Sequence, residues 1–524
     1  MLKKICLLLA AVCLLAPVLS GCGGNSKTIR YDIPETVENL DPQFATSSTA
    51  RMVIGNIYEG LVVQDSDGEI APGAAESYTV SADGLRYTFT LREGVCWSDG
   101  KALTSADFAF AFRRLFSTGS PSPFASDYLC IAQASQVLQQ LQPVSALGIA
   151  TPDARTIVFT LEHESPFFLE LLAATPAMPC NETFFDEAKG RYGLERKYIC
   201  SNGPFLLHRW DNSKYLLLLK SENYVSDKPV LAEGVNLYIG RSDPLEEFLD
   251  GNADLLVASH EDLPRIPGSA TITSFDKTTW CLVFNQNDPV LGNAVMRQSF
   301  AHALDEQSLG GYLPAGLTTT RTFVPPAMLL LEQSYRDIAG YEPLLDFDTE
   351  RAAYLFKLGL DSLELSTLPA ITLSVPSSDS HAASMAYVQQ YWQKYLGAFV
   401  DIEILSPGEI QQRFANGRYQ ILLMPFSPSS GHIRSLLGAF TSASSQNYTG
   451  YRNPRFDAIL QDAADEESIE ETAAKYHQAE ALLLTDAVVV PVYFETTTYA
   501  VSKGVQGVDI SPFSGRIYFK YAQK

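Results

Sequence analysis

The residues whose types and spacing most directly indicate a chemical reaction are Leu19-Ser20-Gly21-Cys22. Small residues before Cys22 would let a peptidase reach the preceding bond, and the thiol would then carry a diacylglyceryl group. The apolar run from Ile5 to Val18 is too short for a bilayer core of ~30 Å, which takes about 20 apolar residues. We therefore expect residues 1–21 to be a lipoprotein signal peptide and Cys22 to be the lipidation site.

Acyl chains on Cys22 would hold the mature chain at a membrane surface, since each buried methylene contributes about 0.8 kcal/mol. No later segment approaches the run of about eighteen apolar residues that indicates a spanning helix, so the lipid is the expected attachment. The alternative is an ordinary secretory signal with an incidental cysteine. Both interpretations place the protein outside the cytoplasm. With the lipid anchor, which is the expected case, it is held at the outer face of the cell membrane, on the periplasmic side in a Gram-negative cell.

Patterns that would indicate catalysis or a metal site are missing. The sequence contains no GxSxG elbow, no Walker loop and no CxxC pair, and none of its 7 histidines has another histidine four residues away. We therefore predict no enzymatic activity, no cofactor and no metal. Adjacent acids such as Glu246-Glu247 are typical of solvated helix faces. Distant carboxylates could still converge in the fold, so a hydrolase of cell-wall material is the alternative from the enzyme class.

Charge and cysteine content limit the partners and the disulfides that are expected for this chain. With 60 acidic and 38 basic residues, the formal charge is −22, and no cluster of Lys and Arg is available to neutralise phosphates, so nucleic acid is not expected as a partner. A solvated surface kept soluble by like charge is the favoured interpretation. Buried free thiols and at most two disulfides are both compatible with the cysteines of the mature chain, with Cys180–Cys200 as the favoured pair.

Strand-prone runs and helical patterns alternate along the sequence, which favours an α/β architecture of two or three domains. The turn dipeptides Asp67-Gly68, Asp83-Gly84 and Asp99-Gly100 separate short strands in the first third. The strands expected there are Leu61 to Gln64, Tyr78 to Val80, Tyr87 to Leu91 and Thr156 to Leu161.

Two amphipathic helices and a following strand are expected later in the chain. The apolar spacing predicts a helix over Asp379 to Gly397, with Ser378 or Asp379 as N-cap and Gly397 as its stop. A second helix is expected over Ser468 to Leu484, and a strand over Ala487 to Phe494 follows it. Thr322 to Pro326 reads as a loop.

Many short motifs of this chain occur in the same order in one protein family. In the first third they are Leu40-Asp41-Pro42, Tyr58-Glu59-Gly60-Leu61, Ala75-Glu76-Ser77-Tyr78, Ser81-Ala82-Asp83-Gly84-Leu85, Trp97-Ser98-Asp99-Gly100 and Leu103-Thr104-Ser105-Ala106-Asp107-Phe108. Later they are Asn202-Gly203-Pro204-Phe205, the segment Val295 to Asp305, the segment Tyr451 to Asp457, Ala479-Glu480 and Val490-Pro491-Val492-Tyr493. On these motifs the chain resembles the peptide- and nickel-type extracellular solute-binding proteins (family 5) of ABC importers, especially the oligopeptide-binding proteins.

The resemblance implies an α/β, periplasmic-binding-protein-like fold with two lobes around a ligand cleft and an additional inserted domain. Lobe I is expected to comprise residues 22–60, 163–275 and 486–524. The additional domain would span 61–162 beside it, and lobe II would span 276–485. Hinge motion would close the two lobes on a ligand.

The resemblance also implies where a ligand binds. An extended peptide would lie between one backbone segment of each lobe as an added strand, so that main-chain groups supply affinity. The residues expected to contact the ligand are Thr46, Ser47, Ser48, Tyr128, Trp280, His381, Phe426, Ser427 and Ser429. For His381, a surface position at a helix start is the alternative.

The segment that begins at Phe426 departs from the family pattern. Peptide binders of the family carry Trp followed three residues later by Asp, whose carboxylate pairs with the peptide's α-amino group, whereas this chain has Phe426 and Ser429 there. A serine hydroxyl brings no charge to offset desolvation of an ammonium group. Pro428 also lacks a backbone donor. An N-blocked or longer peptide, or a ligand without an amine, therefore remains open.

We expect an anchored, monomeric extracellular receptor that captures a solute, most simply a peptide, and delivers it unchanged to the transmembrane subunits of an ABC permease. Ligand would stabilise the closed pair of lobes through its differential affinity. The alternatives within the same fold are a glycan, a modified peptide or a metal chelate. Nickel would need converging imidazoles or a chelating cofactor, which the scattered histidines do not indicate.

Overall fold

The computed structural model describes residues 27–524 except 65–68, 118, 166–167, 331–332, 341–342, 429–432, 443, 445–446, 464–467 and 512–515. The predicted signal peptide, the lipidation site Cys22, the Asp67-Gly68 turn and Ser429 lie outside the described residues.

The strands of the described residues are numbered in chain order. They are β1 (Thr28–Ile33), β2 (Val62–Gln64), β3 (Ile70–Pro72), β4 (Ala75–Val80), β5 (Arg86–Leu91), β6 (Ile149–Ala150), β7 (Thr156–Thr160), β8 (Phe205–Asp211), β9 (Tyr215–Lys220), β10 (Gly234–Ile239), β11 (Leu255–Ala258), β12 (Thr271–Phe284), β13 (Leu317–Thr319), β14 (Leu329–Leu330), β15 (Gln333–Ser334), β16 (Ile371–Pro376), β17 (Val400–Leu405), β18 (Ile421–Phe426), β19 (Val489–Val501), β20 (Asp509–Ile510) and β21 (Ile517–Tyr518).

The α-helices of the described residues are numbered in the same way. They are α1 (Ser48–Ile57), α2 (Ser105–Leu115), α3 (Ala134–Leu138), α4 (Phe168–Ala173), α5 (Glu182–Ala188), α6 (Pro244–Leu249), α7 (Ala294–His302), α8 (Glu306–Gly310), α9 (Tyr335–Ala339), α10 (Thr349–Ser362), α11 (Asp379–Leu396), α12 (Pro407–Ala415), α13 (Ile433–Leu437), α14 (Pro454–Asp462) and α15 (Ile469–Thr485).

One 11-stranded sheet runs through the molecule in the order β17-β16-β18-β12-β19-β11-β1-β10-β9-β8, with β13 paired to β19. Two large apolar clusters are buried along it. One draws its residues from Trp280 to Tyr493 and forms the core of lobe II. The other combines residues 29–255 with Tyr499 and later residues, and forms a core that lobe I shares with residues 61–162. The α/β, two-lobed architecture expected from the sequence is confirmed.

The parallel strands of lobe I and those of lobe II end near the same region of the large sheet. In lobe I, β1 is parallel to β10 and β11, and in lobe II, β16 is parallel to β17 and β18. The long strands β12 and β19 pair antiparallel through both lobes. Ala258, which ends β11, is level with Thr498 of β19, and Phe426, which ends β18, is level with Thr279 of β12. The stretch of β12 and β19 between these levels is called the junction (residues 274–280 and 493–498).

A separate four-stranded sheet, in the order β4-β5-β7-β6, lies within residues 61–162. Its buried aromatic rings contact one another at right angles, as Phe89 and Phe159 do with centroids 6.0 Å apart. This sheet occupies the range predicted for the additional domain. The boundaries of that domain and of the two lobes remain predictions.

The predicted helix over Asp379 to Gly397 is confirmed as α11. Ser378 stands at its N-cap, and Gly397 ends it in the left-handed conformation at φ 66°, which glycine adopts without a Cβ penalty. The strand predicted over Ala487 to Phe494 is β19, but it continues to Val501. The extension begins with the polar run Glu495 to Thr498, which interrupts the apolar pattern. Backbone pairing to β11 and β12 on its two sides carries the strand through to the buried residues Tyr499 to Val501.

Several motifs that carry the family resemblance hold the backbone together. Arg297, which is itself buried, donates to four backbone carbonyls, those of Leu291, Gly292, Asp486 and Ala487, at 2.8–3.2 Å. The side chain of Asn202 exchanges two hydrogen bonds with the backbone of Glu59. A Cβ on Gly203 would stand 2.5 Å from the carbonyl carbon of Ile57, so only glycine fits beside the carboxyl end of α1.

The favoured disulfide is not formed. Cys180 and Cys200 are both free buried thiols, as are Cys130 and Cys281, and Cys96 is free and half-buried. The Cys180 thiol accepts a hydrogen bond from Arg114 at 3.4 Å, and Cys200 accepts one from Ser98 at 3.8 Å. Burial raises the pKa of Cys200 to about 11, so it remains a neutral thiol.

A fully buried ion pair supports one edge of the junction. Arg336 and Glu480 have no exposed side-chain surface and meet at 2.5 Å. Glu480 Oε1 also accepts the backbone N–H groups of Phe323 and Val324 at 2.7 and 2.9 Å, and Arg336 donates to the carbonyl of Val324. This pair therefore fixes the backbone of the loop predicted at Thr322 to Pro326.

We expect Glu480→Gln to lower the free energy of unfolding of lobe II by about 3–5 kcal/mol, because Arg336 is left buried without its counter-charge. Urea denaturation followed by circular dichroism measures the change. Glu76→Gln is the control, because its pair with Arg155 is 44–45% exposed and is expected to contribute less than about 1 kcal/mol. Equal small losses in both variants would contradict a supporting role for the buried pair.

Candidate functional site

The junction is the place where the pairing of β12 with β19 is irregular. The register shifts between Asp276 and Thr278 and again between Trp280 and Cys281. A bulge interrupts the ladder and redirects a side chain, and bulges are frequent beside functional sites. In open α/β sheets ligands bind in the crevice outside the carboxyl ends of the strands. Both lobes present that edge to the junction, which makes it the candidate site.

An aromatic and polar group forms the lobe II side of the junction. The indole of Trp280 lies 4.0 Å from the ring of His381, centroid to centroid. Trp280 Nε1 donates to Glu495 Oε2 at 2.7 Å, and His381 Nδ1 is 2.6 Å from the hydroxyl of Tyr493. Each polar atom named here has a partner, so the group is rigid enough to hold its shape without ligand.

His381 is buried, with 8% of its surface exposed. It occupies the first turn of α11, one turn after the carboxyl end of β16. Desolvation by burial lowers the pKa of His381 to about 4. The imidazole is therefore neutral near pH 7 and serves as a hydrogen-bonding group and not as a cation.

The end of β18 forms the next part of the site. Phe426 is half-buried, and its ring packs against Phe323 at 5.4 Å and Phe440 at 5.6 Å. The hydroxyls of Ser427 and Thr278 are 2.7 Å apart, which ties this strand end to β12. Glu480 accepts a hydrogen bond from the backbone N–H of Phe323, and Phe323 packs against Phe426. The buried ion pair therefore helps to position the ring of Phe426.

Thr46 and Ser47 lie in the connection after β1, directly before α1, which begins at Ser48. Ser47 is the N-cap, where its hydroxyl accepts from the N–H of Ala50 at 3.4 Å and also donates to Glu35 at 3.1 Å. Arg51 donates to the carbonyl of Thr46 at 3.0 Å. Thr46 and Ser48 are exposed. Hydrogen bonds within lobe I therefore fix the conformation of this segment. Its predicted role in ligand binding remains a prediction.

Tyr128 lies elsewhere. Its ring packs edge-on against Phe112 at 5.3 Å, its hydroxyl donates to the carbonyl of Leu171 at 2.9 Å, and 1% of its surface is exposed. These are the contacts of a core residue in the lobe I cluster. We therefore leave Tyr128 out of the candidate site.

The structure thus brings Trp280, His381, Phe426 and Ser427 together at the junction, while Ser429 lies outside the described residues. Sequence reasoning missed the polar members of the two junction strands: Asp276, Lys277, Thr278, Tyr493, Glu495 and Thr496. A signal was present. Asp276 to Thr278 directly precede the apolar run of β12, and Glu495 to Thr498 directly follow the apolar run of β19.

Within the described ranges, no set of three or more His, Cys, Asp or Glu side chains is grouped as a metal site would require. None of the described helices combines the length and apolar character needed to cross a bilayer.

Two α/β lobes that share one pair of crossing strands, with a polar and aromatic site between their strand ends, define a two-lobed solute-binding protein. The chain belongs to the bacterial extracellular solute-binding proteins, family 5, whose model of the middle part matches residues 69–448.

Individual relatives agree with this family. The chain is 28% identical over 538 residues to the oligopeptide-binding protein OppA of Bacillus subtilis, which covers 96% of each chain. It is 26% identical over 493 residues to the dipeptide-binding protein DppE of the same species, covering 93% of this chain and 90% of that protein. The crystal structure of the substrate-binding domain of an oligopeptide ABC transporter from Bacillus anthracis superposes with a TM-score of 0.81, at 25% identity, over 95% of this chain and 99% of that one.

We expect the imidazole of His381 to titrate near pH 4 in a histidine-selective NMR experiment, with the resonance assigned by its loss in His381→Gln. The pKa of His381 in the folded state lies below its ordinary value, so this histidine's contribution to stability is present above about pH 6.5 and decreases as the pH falls toward 4. His381→Gln should remove that part of the pH dependence. A titration midpoint near 6.5 would contradict the burial of this ring.

Proposed function

We propose that this chain is the binding component of an ABC importer and that it captures peptides between its lobes. The observation that carries the proposal is the convergence of the strand carboxyl ends of both lobes on the junction. The relatives named as oligopeptide- and dipeptide-binding proteins support a peptide as the ligand. On this proposal the protein binds its ligand without chemical change and uses no cofactor.

A peptide in extended conformation suits the strand ends that surround the cleft. Its main chain would pair with the backbone at Thr46, Ser47 and Ser48 in lobe I and at Phe426 and Ser427 in lobe II. Main-chain pairing gives affinity without regard to side-chain identity, and hydrated pockets accept varied side chains. The rings of Trp280 and Phe426 would supply apolar contact area along the ligand.

Closure of the lobes would couple binding to transport. Ligand that touches both lobes has a higher affinity for the closed state and shifts the population toward it. The interruptions of the β12–β19 ladder at Asp276 and Trp280 provide positions where the backbone can bend without breaking the rest of the sheet. The permease subunits would recognise the closed form. The lobe division at residues 275–276 and 485–486 forms part of this proposal.

Lipid attachment at Cys22 would keep the receptor at the outer face of the cell membrane, close to its permease. The sequence Leu19-Ser20-Gly21-Cys22 supports this part of the proposal. A monomer suffices for the mechanism, because each chain contains both halves of its cleft.

A ligand without a free amine is the second candidate, and one observation favours it. Ser429 stands where peptide binders of this family carry the Asp that pairs with the peptide's amino group. Without that charge, an N-blocked peptide, a glycan or a metal chelate would lose less on transfer into the cleft than an ammonium group does.

Native mass spectrometry of the purified protein, followed by calorimetry with the synthetic form of any retained compound, tests the proposal. We expect a retained peptide that rebinds with 1:1 stoichiometry and is recovered intact. Recovery of a non-peptide ligand would establish the second candidate. Turnover of the bound compound would contradict both and favour the hydrolase considered at the outset.

Ser429→Asp tests the amino-group anchor. We expect the variant to bind free-amine peptides about ten-fold or more tightly than the wild type, because a carboxylate–ammonium hydrogen bond replaces a neutral one. Calorimetry with one peptide in free-amine and N-acetylated forms measures the difference. The N-acetylated form is the control and should gain nothing. No gain for the free amine would show that the anchor position is wrongly assigned.

Cys22→Ala tests the lipid anchor. We expect the variant to shift from the membrane fraction to the medium or periplasm, with peptide affinity unchanged, because lipidation needs the thiol and the cleft does not. Fractionation with immunodetection measures the shift. Retention of the variant in the membrane fraction would contradict lipidation at this cysteine.

A further inference from the structure

Lys277 is the extra residue at the first bulge of the junction. Asp276 pairs with Thr496 and Thr278 pairs with Glu495, which leaves Lys277 between them without a partner in the ladder. Its side chain is half-buried and extends toward lobe I, where Nζ lies 3.5 Å from the hydroxyl of Tyr499. A bulged position of this kind directs a side chain away from the regular alternation of the strand.

The ammonium group of Lys277 lacks an ion-pair partner among the described residues. In the part of the chain that the structure describes, no carboxylate oxygen lies within 4.0 Å of its Nζ. The acids beside it on the junction strands are engaged with other groups. Asp276 Oδ1 accepts from the hydroxyl of Thr496 at 2.5 Å, and Glu495 Oε2 accepts from the indole of Trp280 at 2.7 Å. Desolvation lowers the pKa of Lys277, and Glu495 partly opposes this effect.

An ammonium group that is partly removed from water and lacks an ionic partner is unfavourable in the folded protein. This chain has 60 acidic against 38 basic residues, so acids to pair with it are plentiful. We expect a cation between the two lobes to be left uncompensated where a bound ligand supplies its ionic partner. The group with matching charge and hydrogen-bonding capacity is a carboxylate.

We propose that Lys277 receives a carboxylate of the bound ligand, and that it makes such a group a requirement for tight binding. This inference depends on the proposed function, since it assumes that a peptide occupies the cleft. The carboxylate is either the α-carboxylate of the peptide or the side chain of an Asp or Glu within it. Closure of the lobes would remove water from the contact and strengthen it. A ligand without a carboxylate would leave the ammonium group unpaired, which is a strong basis for rejection.

Three synthetic libraries of tetra- to hexapeptides distinguish the two carboxylate sources. The first has free C-termini and contains no Asp or Glu, the second is the same set with C-terminal amides, and the third has C-terminal amides and one Glu. Native mass spectrometry identifies retained peptides, and calorimetry gives the Kd of the tightest binder in each set. If the wild type retains no peptide from any library, the proposed function itself fails, and the result is separable from failure of the Lys277 contact.

For the wild type, we expect the first or the third library to yield binders at least ten-fold tighter than the second, and the better of these two identifies the source. Lys277→Met should weaken binding of that carboxylate ligand ten- to a hundred-fold and change the Kd of amide peptides less than three-fold. Lys277→Arg should restore most of the affinity. Equal affinity of the wild type for acid and amide libraries, or an unchanged preference in Lys277→Met, would overturn the proposal.

Stability of the unliganded protein provides a readout that a merely structural lysine would not give. Because the ammonium group is uncompensated, we expect Lys277→Met to keep or raise the thermal midpoint in the absence of ligand, while it lowers the affinity for the carboxylate ligand. Lys503→Met, at an exposed lysine of lobe I, is the matched control and should alter neither quantity. A lower thermal midpoint for Lys277→Met alone would show that Lys277 stabilises the fold instead of receiving ligand.

Discussion

The antiparallel pairing of β12 with β19 is the interaction on which the remaining structure depends. Both strands run through both lobes, so one continuous ladder joins two otherwise separate cores. Because β11 and β18 are attached to this ladder from opposite ends, their carboxyl ends must face each other across the junction. The two bulges confine the irregular backbone to that place. Connection and flexibility therefore reside in the same few residues, which is the arrangement that hinged closure requires.

The two sides of the junction differ in how completely their polar groups are satisfied. On the lobe II side, Trp280, His381, Tyr493 and Glu495 form a closed set of contacts that needs no ligand to keep its shape. Lys277, whose Nζ approaches the hydroxyl of Tyr499 in the lobe I core, has no carboxylate within 4.0 Å among the described residues. A preorganised surface supplies contact area at low entropic cost, and an unsatisfied charge selects which ligand completes it.

Local rules predicted the regular elements well. A cap, an apolar spacing and a glycine stop defined α11. The family motifs pointed to two lobes, and Arg297 in one of these motifs bonds the backbone carbonyls of Leu291 and Asp486. The site was predicted only in part. Tyr128 is a core residue, and the polar run Glu495 to Thr498 hid the continuation of β19, because the neighbouring backbones that hold this run are not displayed by a sequence. The role of Lys277 could not be predicted, because its bulged position is visible only when the pairing of β12 with β19 is known.

Small-angle X-ray scattering of the purified protein, with and without a saturating peptide identified by native mass spectrometry, tests the hinged cleft most directly. The crossing strands β12 and β19 join the two lobes, so closure on a ligand should reduce the radius of gyration while the secondary structure is unchanged. An unchanged radius of gyration at full occupancy of the ligand would show that the lobes do not close and would contradict the account.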